Sequence, residues 1–101
     1  MAKTCMTERE IKRRATVSKF AVKRAALEAA MNDVTATAES RLEARMKFQA
    51  LPRNSSPVRL RNRCALTGRP RGVFSIFGIG RSKLRDLMMA GFVPGVTKAS
   101  W

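Results

Sequence analysis

The chain has no histidine and no tyrosine in its 101 residues. Without histidine it has no imidazole base, no imidazole partner for a nucleophile, and none of the commonest metal-ligating side chain. Acids thin out along the chain: beyond Glu43 the only carboxylate is Asp86. Paired-carboxylate and metal-assisted sites have no residues to draw on there, so an enzyme is not expected. Cysteine occurs twice, at Cys5 and Cys64, which allows one disulfide at most. No apolar signal core precedes them, so a reducing compartment is expected, and Glu8 and Glu10 argue against a transit peptide. No apolar run approaches the ~20 residues of a membrane-spanning helix. Large apolar residues are few, because alanine supplies 14 of the residues behind the 45% hydrophobic fraction. A chain of this size with so little to bury has limited stability to spare.

Positive charge is what the chain has in excess. Lysine and arginine number 21 against 7 acids, a net charge of +14. Residues 1–50 hold 11 basic and 6 acidic side chains, whereas residues 51–101 hold 10 and 1. Self-repulsion on this scale penalises the compact free state, and a polyanion relieves it. Nucleic acid is the expected partner, since each neutralised phosphate releases counterions. A membrane-surface role calls for a basic amphipathic helix with bulky apolar residues opposite, and is not expected. Nor is a small-molecule substrate.

The densest stretch runs from Pro52 to Arg71. It carries Arg53, Arg59, Arg61, Arg63, Arg69 and Arg71, no acid, and punctuation at Pro52, Pro57, Gly68 and Pro70, with Gly72 just after. Too few apolar side chains are present for the segment to bury itself, so it reads as an extended strand of chain ordered only against something negative. Arginine suits phosphate through its planar fork and stacks on bases. Proline-bracketed arginines fit irregular RNA better than a DNA major groove, which calls for a recognition helix or a symmetric dimer. The competing reading is a free DNA-binding or nucleoid-type basic protein.

The first half reads as two helices. Thr7 and Glu10 have capping-box spacing, so a helix is expected to start there after a frayed or partner-bound tail at Met1–Met6. No glycine or proline interrupts Ile11–Met31, and Val17, Phe20, Leu27, Met31 and Val34 form one stripe. Lys12, Arg13, Lys19, Lys23 and Arg24 mostly lie off it, as a solvated face or one laid along phosphates. A second helix is expected from a Thr37 cap to Pro52, with Ala38, Leu42, Met46 and Ala50 as its seam. Residues 7–51 thus read as an antiparallel helical hairpin.

Beyond the arginines, Val73–Ile79 is expected as a short strand or turn packed under a last helix, with Phe74 and Phe77 as core rather than as base-stacking platforms. That helix is expected over Arg81–Ala90, with Gly80 as N-cap and Gly91 just past its end. Trp101 is expected to tuck into its own domain or a partner. Cys64 lies among arginines, which favour a thiolate, and is otherwise a bystander thiol. Positions 64, 67, 80 and 83 have the spacing of a four-cysteine zinc site but hold Cys64, Thr67, Gly80 and Lys83, so no metal is expected.

The segments LPRNSSPVRLRNRCALTGRPRGVF, FGIGRSKLRD and PGVTKASW resemble the bacterial small-subunit (30S) ribosomal protein fourteen family. The core of the resemblance is RNRC-x-x-TGRPRG with the KASW ending, and the length resembles the longer, zinc-free form. The sequence departs from the family at Ser75, Ile76, Gly80 and Ser82. The resemblance implies a mainly α, RNA-scaffolded fold. It would comprise a helical extension over 1–51, an extended Arg-rich rRNA-binding segment over 52–72, and a small C-terminal domain over 73–101, zinc-ribbon-like without zinc or another cofactor. It implies a structural, non-enzymatic role in translation in the 30S head, near the decoding site, on a cytoplasmic ribosome of a bacterium or an organelle. Partners would be 16S-type rRNA and ribosomal proteins three, ten and nineteen. The rRNA-binding residues would be Arg53, Arg59, Arg61, Arg63, Arg69, Arg71, Arg81, Lys83, Arg85 and Lys98.

Overall fold

The computed structural model describes residues 1–101 as a mainly helical chain. Its α-helices are α1 (Thr4–Asn32), α2 (Ala38–Gln49) and α3 (Arg81–Met89). One small antiparallel sheet pairs β1 (Val73–Phe74) with β2 (Ile79–Gly80), Val73 opposite Gly80 and Phe74 opposite Ile79. The chain forms two units, residues 9–60 and residues 1–8 with 61–101. Buried apolar side chains number four: Ala44 and Leu51 in the former, Cys64 and Leu84 in the latter.

α1 starts a turn earlier than its capping-box spacing suggests. Ala2 donates its backbone amide to Thr67 O at 3.0 Å, which fixes the approach of the chain. Lys3 O then accepts from Met6 N at 2.9 Å, closing the first turn. Thr7 Oγ1 donates back to Thr4 O at 2.7 Å and caps nothing, while Glu10 is buried and lies 3.5 Å from Arg13. The expected tail at Met1–Met6 is therefore partly helical. Asp33 closes the turn after α1 by accepting from Thr35 N and Oγ1, and Thr37 caps α2 through Ser40 N, as its sequence position suggests.

The unit of residues 9–60 packs around an arginine. Val17, Phe20, Leu27 and Met31 are half-buried as their spacing predicts, but Arg24 shares their stripe and Val34 is exposed. The Arg24 guanidinium lies 4.3 Å from the Phe48 ring centroid and donates to Ser55 Oγ at 3.2 Å. Ser55, fully buried, donates in turn to Pro52 O. On α2 the inward residues are Ala44 and Phe48, followed by Leu51, whereas the expected seam is wrong: Leu42 and Met46 face solvent. Both faces of α2 carry apolar residues, and the one offering an aromatic ring to Arg24 is the one that packs. Removing this guanidinium loses a partly desolvated cation–π contact and a hydrogen bond to a buried hydroxyl. Arg24→Ala is expected to destabilise the chain by about 2 kcal/mol. Arg24→Lys should restore only part of this, as urea denaturation followed by circular dichroism will show.

Candidate nucleic-acid interface

The arginine-rich stretch has more structure of its own than its composition suggests. It makes 3₁₀ turns at Arg53–Ser55 and Pro57–Arg59, each closed by backbone bonds that follow Pro52 and Pro57. Residues 64–69 then form a tight knuckle: Cys64 N donates to Arg69 O at 3.0 Å and Gly68 N to Cys64 O at 2.8 Å. Gly68 has φ +71°, and a Cβ there would stand 2.8 Å from Thr7 Cγ2 and 3.0 Å from Ala2 Cβ. Glycine is therefore required both by the left-handed turn and by the N-terminal segment lying against it. Ala65 N donates to Gly78 O, and Arg81 N to Gly72 O, tying the knuckle and its exit to the β-hairpin and the start of α3.

Several of the arginines brace this backbone. Arg61 Nε donates to Pro70 O at 3.0 Å, Arg63 Nη1 to Gly68 O at 2.9 Å, and Arg69 Nε to Arg71 O at 3.0 Å. Arg59 Nη1 donates to Asn54 Oδ1 at 2.9 Å. Arg63 is half-buried; the other nine candidate residues are exposed. Arg53 and Arg59 belong to the unit of residues 9–60, and the remaining eight to the other unit. The ion pairs Arg13–Glu10, Arg24–Glu28 and Lys47–Glu43 all lie in the helical half, and residues 51–101 hold ten basic side chains against one acid. A cavity of about 340 Å³ brings Arg69 and Lys83 together beside Ala2, Thr67 and Gly80. The aliphatic stem of Arg81 lies over Gly72, where a Cβ would be 3.4 Å from Arg81 Cδ.

The four positions with zinc spacing converge without making a zinc site. A Cβ on Gly80 would lie 3.6 Å from Cys64 Sγ, and Thr67, Gly80 and Lys83 line the one cavity. The donor set is a single thiol, a hydroxyl, a residue with no side chain and an ammonium, which does not fit zinc. Burial pushes the Cys64 thiol up, but the Thr67 hydroxyl and the amides of Gly80, Thr67 and Leu66 outweigh it and bring it down to about 7. The thiolate is thus favoured by these donors, not by the neighbouring arginines that its sequence context suggests. Both cysteines are free thiols, Cys5 exposed and Cys64 buried.

The family model for ribosomal protein S14p/S29e matches residues 47–100. The chain belongs to that family. The match spans the 3₁₀ turns, the knuckle, the β-hairpin and α3, and residues 47–100 include every one of the ten candidate residues. S14p/S29e membership makes the chain a small-subunit ribosomal protein, an rRNA-binding component of a ribonucleoprotein that acts in translation. A polyanionic partner of this kind can balance the chain's net charge of +14.

Sequence reasoning missed four residues. Arg24 was legible only as another surface cation, Thr67 only as a lost ligand position, and Phe74 with Phe77 only as core. Phe74 is 50% and Phe77 39% exposed. Phe74 lies on β1 and Phe77 in the turn that follows it, and so small a sheet has no second layer to cover both faces. Cys64 gives a pH test. A thiol whose folded pKa is depressed contributes stability above its ordinary pKa, and that contribution is lost as pH falls through the folded value. The chain is therefore expected to become more stable between pH 7 and pH 9, with the slope abolished in Cys64→Ser, as chemical denaturation at each pH will show.

Proposed function

We propose that the chain is a structural, non-catalytic constituent of the small-subunit head that binds 16S-type rRNA near the decoding side, beside ribosomal proteins three, ten and nineteen. The observation that carries this reading is the acid-poor arginine cluster of residues 53–85 within an S14p/S29e match. In this reading residues 1–51 are a helical extension, residues 52–72 the principal rRNA-binding segment, and residues 73–101 a small C-terminal domain. Arg53, Arg71, Arg85 and Lys98 meet phosphate with their whole head groups. Arg61, Arg63 and Arg69 each donate to one of the chain's own carbonyls, and Arg61 and Arg69 keep their side chains exposed beside it. Their geometry is then set before RNA arrives, which lowers the ordering cost of binding. The protein neutralises phosphates where rRNA segments approach one another, and its location is the ribosome of a bacterial cytoplasm.

Co-sedimentation tests this reading. In a sucrose gradient of cell lysate the chain is expected with small subunits and whole ribosomes, leaving only at high salt. Residence at the top of the gradient, or with DNA, would replace this reading with that of a free DNA-binding protein. Arg53→Ala with Arg71→Ala should leave helicity unchanged and lower the salt slope of rRNA binding by about one unit per lost phosphate contact.

The C-terminal domain, with the knuckle that precedes it, is on this reading a zinc-ribbon-like module in which only Cys64 of the four ligand positions is a thiol. Replacing the other three positions together, Thr67→Cys, Gly80→Cys and Lys83→Cys, is expected to create a site for one zinc ion, seen as a mass shift in native mass spectrometry. Failure to bind metal would mean that the knuckle and the start of α3 are not arranged as a ribbon.

A further inference from the structure

The hairpin and α3 enclose an open groove of about 610 Å³ in the unit of residues 1–8 and 61–101. Its walls include Phe74 and Phe77, its floor includes Leu84 and Met88, and its edge carries Arg81 and Arg85. We infer that this groove takes an unpaired rRNA base, which stacks on Phe74 and Phe77 while Arg81 and Arg85 hold the adjoining phosphates. The inference rests on the rRNA-binding reading above and adds to it a site for a base rather than for the backbone.

Three observations select this occupant. The phenylalanines are uncovered although Leu84 beneath them is buried, so the groove floor is finished and its walls are not. No acid lines the groove, and Glu8 and Asp86 are the only acids in a unit holding nine lysines and arginines. Arg81 and Arg85 stand one helical turn apart on α3, so both reach one side of the groove, and neither forms an ion pair. The groove thus asks for a flat apolar body joined to negative charge. A nucleotide joins the two in one residue, and stacking of splayed-out bases on aromatic rings is how irregular RNA is held. A peptide would have to combine large apolar side chains with acids placed against both guanidiniums.

Photo-crosslinking separates these occupants. The full chain, with p-benzoylphenylalanine in place of Phe77, is assembled into small subunits and irradiated. The expected product is a crosslink to rRNA at one or a few unpaired nucleotides. A crosslink to a neighbouring protein alone, or none above the unirradiated control, overturns the inference. Binding of the full chain to a single-stranded oligouridylate gives a second readout. Phe74→Leu and Phe77→Leu keep apolar volume but lose the aromatic face, and each should weaken binding about tenfold with the salt slope unchanged. Leucine variants that bind as tightly as the parent chain also overturn it. Crosslinking to protein in a chain that still enters small subunits leaves the ribosomal reading standing, whereas a parent chain that never enters them removes both.

Discussion

Buried Cys64 stands at the root of a closed turn, its amide donating to Arg69 O and its carbonyl accepting from Gly68 N, and the arginine-rich half of the chain takes its shape from that point. The next amide, Ala65 N, donates to Gly78 O, and a Cβ on Gly80 would lie 3.6 Å from Cys64 Sγ, so the loop and the hairpin meet at this residue. The knuckle then presents Thr67 O to the amide of Ala2 and a bare Gly68 to Thr7, which seats residues 1–8 against it. Arg61 and Arg63 close over the same turn by donating to Pro70 and Gly68 carbonyls. A metal ion could draw four ligands to one centre, whereas here backbone hydrogen bonds across the turn and to the hairpin hold the chain together.

The chain uses arginine where other small proteins use leucine. With four buried apolar side chains, it cannot draw most of its stability from transfer of apolar area out of water. Arg24 fills the interior of the helical unit as a stacked cation, and Arg59, Arg61, Arg63 and Arg69 satisfy side-chain and backbone acceptors that a larger core would have covered. Five donors on a planar group make this possible, because one or two can be spent internally while the charge stays available to an anion. The residues that brace the fold thus keep a positive charge that, on the proposed reading, also serves the RNA.

Much of this was legible in the sequence. Thr37 as a cap, the stripe Val17–Phe20–Leu27–Met31, and the span of α3 with Gly91 after it follow from local rules, since caps and periodicity involve residues a few positions apart. Gly91 indeed takes φ +82° and, with Phe92, returns its amide to the last turn of α3. The partition of charge and the RNRC-x-x-TGRPRG motif carried the family. The start of α1, by contrast, depends on Ala2 meeting Thr67, 65 positions away, and the inward face of α2 depends on Phe48 meeting Arg24. Trp101, expected to tuck away, is 98% exposed, so nothing in the chain's own fold covers it.

The sequence by itself determined that this is a polycation with a small core, two helices before an arginine segment and one after it, in a ribosomal family. Composition and periodicity are properties of the chain that hold whatever its path in space. Only the tertiary structure decided which arginines brace the backbone, which donors hold the Cys64 thiolate, and which phenylalanines remain uncovered. Those outcomes depend on pairs of groups far apart in the chain meeting within hydrogen-bond or van der Waals distance, and no local spacing encodes such a meeting.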